Sequence, residues 1–368
     1  MEKITVELGE QSYEIFIGEN IFANCAKFIS DTKKFTNKIL VVTDTNVLKS
    51  CGENFTTALE SCGINSEVAV IEAGESSKNL HEAEKLYTKA IEFGLDRKSV
   101  IVAFGGGVVG DLAGFVAATY LRGINFIQVP TTLLAQVDSG VGGKTAVNHV
   151  LGKNLIGAFY QPKAVFVDLK TLKTLPEREV KSGLGEVVKY GIISDEDFFV
   201  YLEENAEKIL SRNAEVFEKI IRRSCEIKAE VVAQDEKESN LRRILNFGHT
   251  IAHAIEAETN YQKYRHGEAV SIGMVGAALI SEQLGKISSC EVQRLTNLLN
   301  SLKLFTECED CNTENLFQET FRDKKTVDGK VNWVLMKNFG EVEICNNVPD
   351  FVVKNALEKI SQKSNSPS

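Results

Sequence analysis

Phe104-Gly105-Gly106-Gly107-Val108-Val109-Gly110-Asp111 is the stretch on which the fold turns. Gly105, Gly107 and Gly110 fit G-x-G-x-x-G. The run before them, Ser99-Val100-Ile101-Val102-Ala103-Phe104, is continuously apolar after its serine, as a buried parallel strand is. Leu112 to Ala118, after them, reads as a helix. In that order, bare glycines let backbone N–H groups approach a pyrophosphate, and the helix N-terminus favours its charge. A tight strand-to-helix turn without a ligand accounts for the same residues. No acid at a strand end lies about 20 residues downstream, where a ribose-binding carboxylate usually stands. Asp44, closing the upstream run Lys38-Ile39-Leu40-Val41-Val42-Thr43-Asp44, is the candidate instead, so the strand order should differ from that of a standard dinucleotide fold.

Outward from this stretch, strands and helices alternate. Residues 3–8 and 12–17 read as a hairpin, and 66–71 as a further strand. Residues 46–62 and 79–93 read as helices, the second with Leu80, Ala83, Leu86, Ala90 and Ile91 on one face. Short strands follow near 125–129 and 164–168. Such alternation means a parallel sheet with helices on both faces. Past Pro176 the pattern is helical over 197–232, 244–258 and 270–284, then a hairpin at 331–336 and 342–344 and a helix at 351–360. The expectation is an α/β domain over 1–175 and a mainly α-helical domain over 176–368, with a disordered Ser/Asn/Pro tail.

The bulk properties exclude several roles. The chain has 368 residues, 43% apolar and 25% charged, with a net charge of −9. An acidic chain of ordinary globular composition is a poor candidate for nucleic-acid or acidic-membrane binding, and a local cationic pocket for a small anion remains open. No apolar run is long enough to span a bilayer, and the start, Met1-Glu2-Lys3-Ile4-Thr5-Val6-Glu7, lacks the apolar segment of a signal peptide. Eight scattered cysteines suit reduced thiols in the cytoplasm. Cys308-Glu309-Asp310-Cys311 has metal-knuckle spacing but no second pair, and reads as a coincidence in a loop.

Three of five histidines fall between Asn246 and His266. His249 and His253, four apart, share a helix face, and His266 opens the next apolar helix; that is metal-ligand spacing. Glu186, in Gly183-Leu184-Gly185-Glu186-Val187-Val188-Lys189-Tyr190-Gly191, is an acid among small and apolar residues and wants a partner. A carboxylate and imidazoles with an open position make a Lewis-acid site. Gly74-Glu75-Ser76-Ser77-Lys78 is a second candidate nucleotide contact, or simply a solvated loop before a helix. Arg122, Lys144, Lys153, Lys189, Lys228, Arg242 and Lys324/Lys325 sit in or beside glycine-rich segments and can grip phosphate or carboxylate, Arg122 and Lys144 standing out for their glycine and apolar neighbours.

These segments closely resemble the 3-dehydroquinate synthase family over nearly the whole chain. The match is densest over Gly105–Asn154, Leu155–Pro162, Lys181–Gly191 and Arg242–Glu268. The resemblance implies an NAD-binding α/β domain followed by a mainly helical metal-binding domain. It places a divalent metal, zinc or cobalt, on Glu186, His249 and His266, and moves His253 beside the metal as a substrate-contacting or proton-handling residue. It places NAD on Asp44, Asn46, Glu75, Lys78, Gly106, Gly107, Val108, Val109, Gly110, Asp111, Thr131 and Thr132, with Lys144, Lys153, Thr171, Thr174 and Leu175 on the same side. Substrate contacts fall on Arg122, Asp138, Lys144, Asn154, Lys189, Lys228, Arg242, Asn246 and one of Lys324/Lys325. Gly140 departs from the family pattern, which has serine there.

The chemistry so implied turns 3-deoxy-arabino-heptulosonate 7-phosphate into 3-dehydroquinate and phosphate. The C5 hydroxyl is oxidised, phosphate leaves by elimination, the hydride returns, the ring opens and an aldol closure makes the carbocycle. The phosphate itself takes the C6 proton, so the chain mainly positions groups and supplies electrostatics. The resemblance is compatible with a homodimer in the cytoplasm acting on a small phosphorylated sugar acid. A sister sugar-phosphate cyclase would share the cofactors but not the carboxylate-binding set; a metal-dependent alcohol dehydrogenase would produce net NADH and need fewer cations; a silent nucleotide-binding module would have lost a metal ligand.

Overall fold

The computed structural model describes residues 1–309, 311–322 and 331–361, and among the described residues fourteen stretches coil into α-helix and eleven extend into strands. Lys324, Lys325 and the Ser/Asn/Pro tail fall outside the described residues. The chain divides into two compact units, one of Met1–Pro176 with Glu218–Lys237, the other of Glu177–Phe217 with the described residues from Glu238 onward.

The first unit begins with the hairpin β1 (Glu2–Val6) and β2 (Tyr13–Gly18) and helix α1 (Phe22–Asp31). Then come β3 (Lys38–Asp44), the short α2 (Thr45–Val47), α3 (Glu53–Ser61), β4 (Asn65–Ile71), α4 (Leu80–Glu92), β5 (Val100–Gly105), α5 (Gly107–Thr119) and β6 (Asn125–Pro130). The hairpin β7 (Lys144–His149) and β8 (Gly152–Phe159) precedes β9 (Ala164–Asp168). One seven-stranded sheet has the order β1-β2-β9-β6-β5-β3-β4, parallel everywhere except the β1–β2 pair. Alternate residues feed two cores. Leu40, Val42, Ile101 and Ala103 pack on the α4 and α5 side with Leu86, Leu112 and Val116. Ile39, Val41, Val100, Val102 and Phe104 pack on the α1 and α3 side with Cys25, Phe55 and Leu59. Strands buried on both faces explain the unbroken apolar runs.

From β4 to β9 the spatial order is 2-1-3-4-5, the flavodoxin-like form of the doubly wound sheet. The winding reverses between β3 and β5, so Asp44 and Gly105 end neighbouring strands at the switch point, where ligands of such sheets bind. Two details depart from the sequence reading. Leu80 and Ile91 are exposed, because Ala83, Leu86 and Ala90 define the buried face of α4 and those two lie roughly a quarter-turn off it. The β7–β8 hairpin was not foreseen.

The second unit holds α6 (Glu177–Ser194), α7 (Glu196–Glu204), α8 (Ala206–Leu210) and the first residues of α9 (Ala214–Gln234), whose remainder groups with the first unit. It continues with α10 (His249–Glu258), α11 (His266–Gln283), α12 (Ser289–Ser301), α13 (Thr313–Arg322), the hairpin β10 (Trp333–Asn338) and β11 (Glu341–Cys345), and α14 (Asp350–Ser361). The sulfurs of Cys308 and Cys311 lie against one another, while Cys25, Cys51, Cys62, Cys225, Cys290 and Cys345 are free. No helix among the described residues is long and apolar enough to cross a membrane.

Candidate active site

Glycine contacts bring Glu186, His249 and His266 together within the second unit. A β-carbon on Gly267 would stand 1.7 Å from the Ser182 carbonyl oxygen, and one on Gly185 would stand 2.4 Å from the Gly267 carbonyl oxygen. Only bare backbone allows α6 and the start of α11 to meet there, which brings Glu186 beside His266. Gly248 takes the left-handed conformation (φ 78°) at the start of α10, and a β-carbon on Gly273 of α11 would stand 2.1 Å from the Gly248 carbonyl oxygen. That contact seats His249.

Glu186 is fully buried, and its Oε1 lies 3.4 Å from both His249 Nε2 and His266 Nε2. One ligand atom from each residue lies within 4.8 Å of the others. Ligands held about 2.0–2.1 Å from a tetrahedral zinc are themselves about 3.3–3.4 Å apart, so the donor set and spacing fit a divalent metal. The other ring nitrogens face acceptors: His249 Nδ1 is 3.1 Å from the Phe247 carbonyl oxygen and His266 Nδ1 is 3.5 Å from Glu256 Oε1. Burial opposes charge on His266, but Glu256 and Glu186 outweigh it and push its pKa up to about 10, so the place favours a cation. His253 lies beside them, its ring centroid 5.7 Å from that of His249 and 6.3 Å from that of His266, but outside the three residues whose ligand atoms converge. Lys189, also buried, pairs with Glu186 Oε2. Arg242 is buried, and Asn246 donates to Glu238 Oε1 at 2.7 Å.

In the first unit the carboxyl ends of the strands gather the nucleotide candidates. Asp44 Oδ1 accepts from the N–H groups of Asn46 and Val47 at 2.9 and 3.0 Å, capping α2. Gly106 is the N-cap of α5, and no side chain caps the first N–H groups of that 13-residue helix, which include those of Val108 and Val109. β-Carbons on Gly106, Gly107 and Gly110 would each meet a side-chain atom at 3.0 Å, of Thr132, Ser139 and Gln128 respectively. The Thr131 and Ser139 hydroxyls are buried there without a hydrogen-bond partner among the described residues. A cradle of this kind suits a pyrophosphate. Lys78 pairs with Asp111, whose carboxyl is pushed up by burial while Lys78 pulls it down. Glu75 accepts from Asn148 at 2.8 Å and lies 3.9 Å from Lys153. Thr171 is committed internally, between Gln136 and the Asp168 carbonyl; Thr174 donates to the Thr171 carbonyl and the Leu175 N–H to that of Leu172.

The cations separate by burial. Lys228 is buried and grips both the carbonyl and the carboxylate of Asp138 at 2.6 Å. Arg122 and Lys144, despite their glycine and apolar neighbours in sequence, are exposed, as is Asn154; Arg122 and Asn154 have positive φ. Among residues the sequence reading passed over, Ser139 and Glu256 stand out. Glu256 lies seven residues from His249, two turns along the same helix face, and that spacing was its only signal.

Gly140 is shaped into its loop. A β-carbon there would stand 2.6 Å from the Ala135 carbonyl oxygen, which accepts the Gly140 N–H at 2.9 Å. Gly140→Ser should therefore destabilise the first unit by about 1–3 kcal/mol, read by urea unfolding.

Family models described as 3-dehydroquinate synthase N-terminal and C-terminal match residues 68–182 and 183–326. A 3-dehydroquinate synthase of Desulforamulus reducens is 47% identical, the match covering 95% of this chain and 98% of that one. The structure of a 2-deoxy-scyllo-inosose synthase complexed with carbaglucose-6-phosphate, NAD+ and Co2+ superposes with a TM-score of 0.89 at 28% identity, covering 97% of this chain and all of the other. A 2-epi-5-epi-valiolone synthase from Streptomyces hygroscopicus subsp. jinggangensis, with NAD+ and Zn2+ bound, gives 0.88 at 26% identity over 96% and 98% of the two chains.

Proposed function

Because the chain belongs to the 3-dehydroquinate synthase family, we propose that it converts 3-deoxy-D-arabino-heptulosonate 7-phosphate to 3-dehydroquinate and phosphate. It does so as a phosphate-eliminating lyase that uses NAD and one divalent metal, in the cytoplasm. The observation that carries this reading is the near-half identity to a 3-dehydroquinate synthase over almost the full length of both chains. When bound, NAD supplies a reversible hydride acceptor for C5, and the metal supplies Lewis acidity to the substrate hydroxyls.

The chain's own residues then bind and orient. Glu186, His249 and His266 hold the metal. Asp44 holds the cofactor ribose, and the start of α5, from Gly106 to Asp111, holds its pyrophosphate, with Asn46, Glu75, Lys78, Thr131, Thr132 and Lys153 around it and Thr171, Thr174 and Leu175 as backing. Arg122 and Asn154 grip the substrate phosphate; Lys144 and Arg242 hold the carboxylate end. Asp138, Lys189, Lys228 and Asn246 complete the substrate contacts, and His253 handles a proton next to the metal. Phosphate leaves with the C6 proton on its own oxygen, so these groups act through position and charge. A homodimer is part of the same proposal.

The substrate is tested by offering the heptulosonate phosphate, glucose 6-phosphate and sedoheptulose 7-phosphate in parallel. Phosphate release from the first alone supports this reading, and turnover of either other sugar instead moves the chain to a sister cyclase. Asp44 is tested by NAD titration. Asp44→Ala removes a charged acceptor and should weaken NAD about 10–100-fold, and it also costs the α2 cap about 1 kcal/mol. Asp44→Asn keeps a cap acceptor and should lose less of both. Unchanged NAD affinity in the alanine variant would count against the ribose role.

A further inference from the structure

We infer that Glu256 is a positioning residue for the metal site: it holds the His266 ring through Nδ1 so that Nε2 faces Glu186 and His249. This rests on the reading of Glu186, His249 and His266 as the ligand set.

The backbone of His266 is fixed by other groups. Glu268 Oε2 accepts the Arg265 N–H at 2.8 Å, and Arg178 clamps both Glu268 oxygens at 2.7 Å. Those contacts settle where α11 starts but leave the imidazole free to turn about its own side-chain bonds. A half-turn of the ring exchanges the two edges and takes the donor atom out of the site. Glu256 blocks that turn. It is buried on α10, with Oε1 3.5 Å from His266 Nδ1, while Nε2 of the same ring is 3.4 Å from Glu186 Oε1. The turn after α10 delivers the ring to this carboxylate: Asn260 and Tyr261 have positive φ, and the Tyr261 N–H donates to the Glu256 carbonyl at 2.7 Å, so the chain doubles back over the end of the helix.

His249 has the matching device in a neutral form, its Nδ1 3.1 Å from the Phe247 carbonyl oxygen. The two ligand rings are thus oriented by unlike acceptors. A carboxylate on Nδ1 selects the tautomer with its lone pair on Nε2 and makes that nitrogen the stronger donor. One face of α10 therefore carries both a ligand, His249, and the orienter of the other ligand ring, Glu256.

The test is a chelator-competition titration of Zn2+ and Co2+ on the full chain, comparing wild type, Glu256→Gln, Glu256→Ala and Glu186→Gln. Glu256→Ala should bind either ion about 10–100-fold more weakly. Glu256→Gln, which retains an acceptor without the charge, should lose less, and its visible cobalt spectrum should shift. NAD affinity of the glutamine variant should match wild type. Metal affinity within twofold of wild type in the glutamine variant, with an unchanged cobalt spectrum, overturns the proposal, as does a loss of metal-free stability with metal affinity unchanged. If the alanine variant does not fold, the glutamine variant decides. Failure of the underlying reading looks different: wild type then binds no stoichiometric metal, or Glu186→Gln binds it as wild type does.

Discussion

Glu186→Gln should abolish metal binding, lower turnover on the order of 10³-fold or more, and destabilise the metal-free second unit as well. The first two effects follow from the loss of a proposed ligand whose Oε1 stands 3.4 Å from both imidazole nitrogens, since a Lewis acid at such a site is worth several kcal/mol of barrier. The third follows from the other oxygen. Oε2 pairs with Lys189, whose ammonium is as deeply buried as the carboxylate. Removing one partner of a buried pair leaves an uncompensated charge, at a cost of about 3 kcal/mol. His249→Ala also removes a proposed ligand but leaves the Lys189 pair intact, so its metal-free form should unfold in urea much closer to wild type. Equal stability of the two metal-free variants would contradict the double role of Glu186. NAD affinity should persist in both.

Gly267→Ala is the second large effect, and the substitution adds a single methyl. Its β-carbon would stand 1.7 Å from the Ser182 carbonyl oxygen and 2.5 Å from the carbonyl carbon, both backbone atoms that no side-chain rotation can move. The start of α11 must therefore shift by more than about 1 Å, carrying His266 with it. Overpacking of this kind costs about 1–3 kcal/mol, and a displacement of about 1 Å at a site can cost about 10²-fold in function. Metal affinity and turnover should fall together, with NAD affinity unchanged. A variant that binds metal like wild type would show that α6 and α11 can part without moving the ligand atoms, contradicting the packing argument.

The strands of the sheet were legible because β3 and β5 are buried on both faces and their sequences are unbroken apolar runs. Their order was not, since nothing local in β4 says that the chain must cross back over β3 to lay down β5. The β7–β8 hairpin was hidden for a different reason. Gly152–Phe159 is exposed or half-buried at every position, so it shows no apolar alternation, and its glycines and lysine read as binding turns. The helical face of α4 was drawn too wide because Leu80 and Ile91 are apolar yet exposed.

At the site, the four-residue spacing of His249 and His253 put both on one face of α10, but spacing alone does not say which imidazole meets Glu186. That depends on the return of the chain through Asn260 and Tyr261 and on the contact between Gly267 and Ser182. The resemblance supplied the choice of His266, which residue periodicity could not. The pairs Lys78–Asp111 and Lys228–Asp138 join residues far apart in sequence, and no local pattern announces them.

The central claim is that the chain eliminates phosphate from a sugar acid by a reaction that needs both cofactors yet has no net redox. The measurement that tests it most directly is phosphate release from 3-deoxy-D-arabino-heptulosonate 7-phosphate with catalytic NAD, with and without a chelator, while NADH absorbance is followed. The account predicts phosphate released over many turnovers per NAD, no accumulation of NADH, loss of release on chelation and its return when Zn2+ or Co2+ is added back. Steady NADH formation without phosphate, or release indifferent to the chelator, would contradict it.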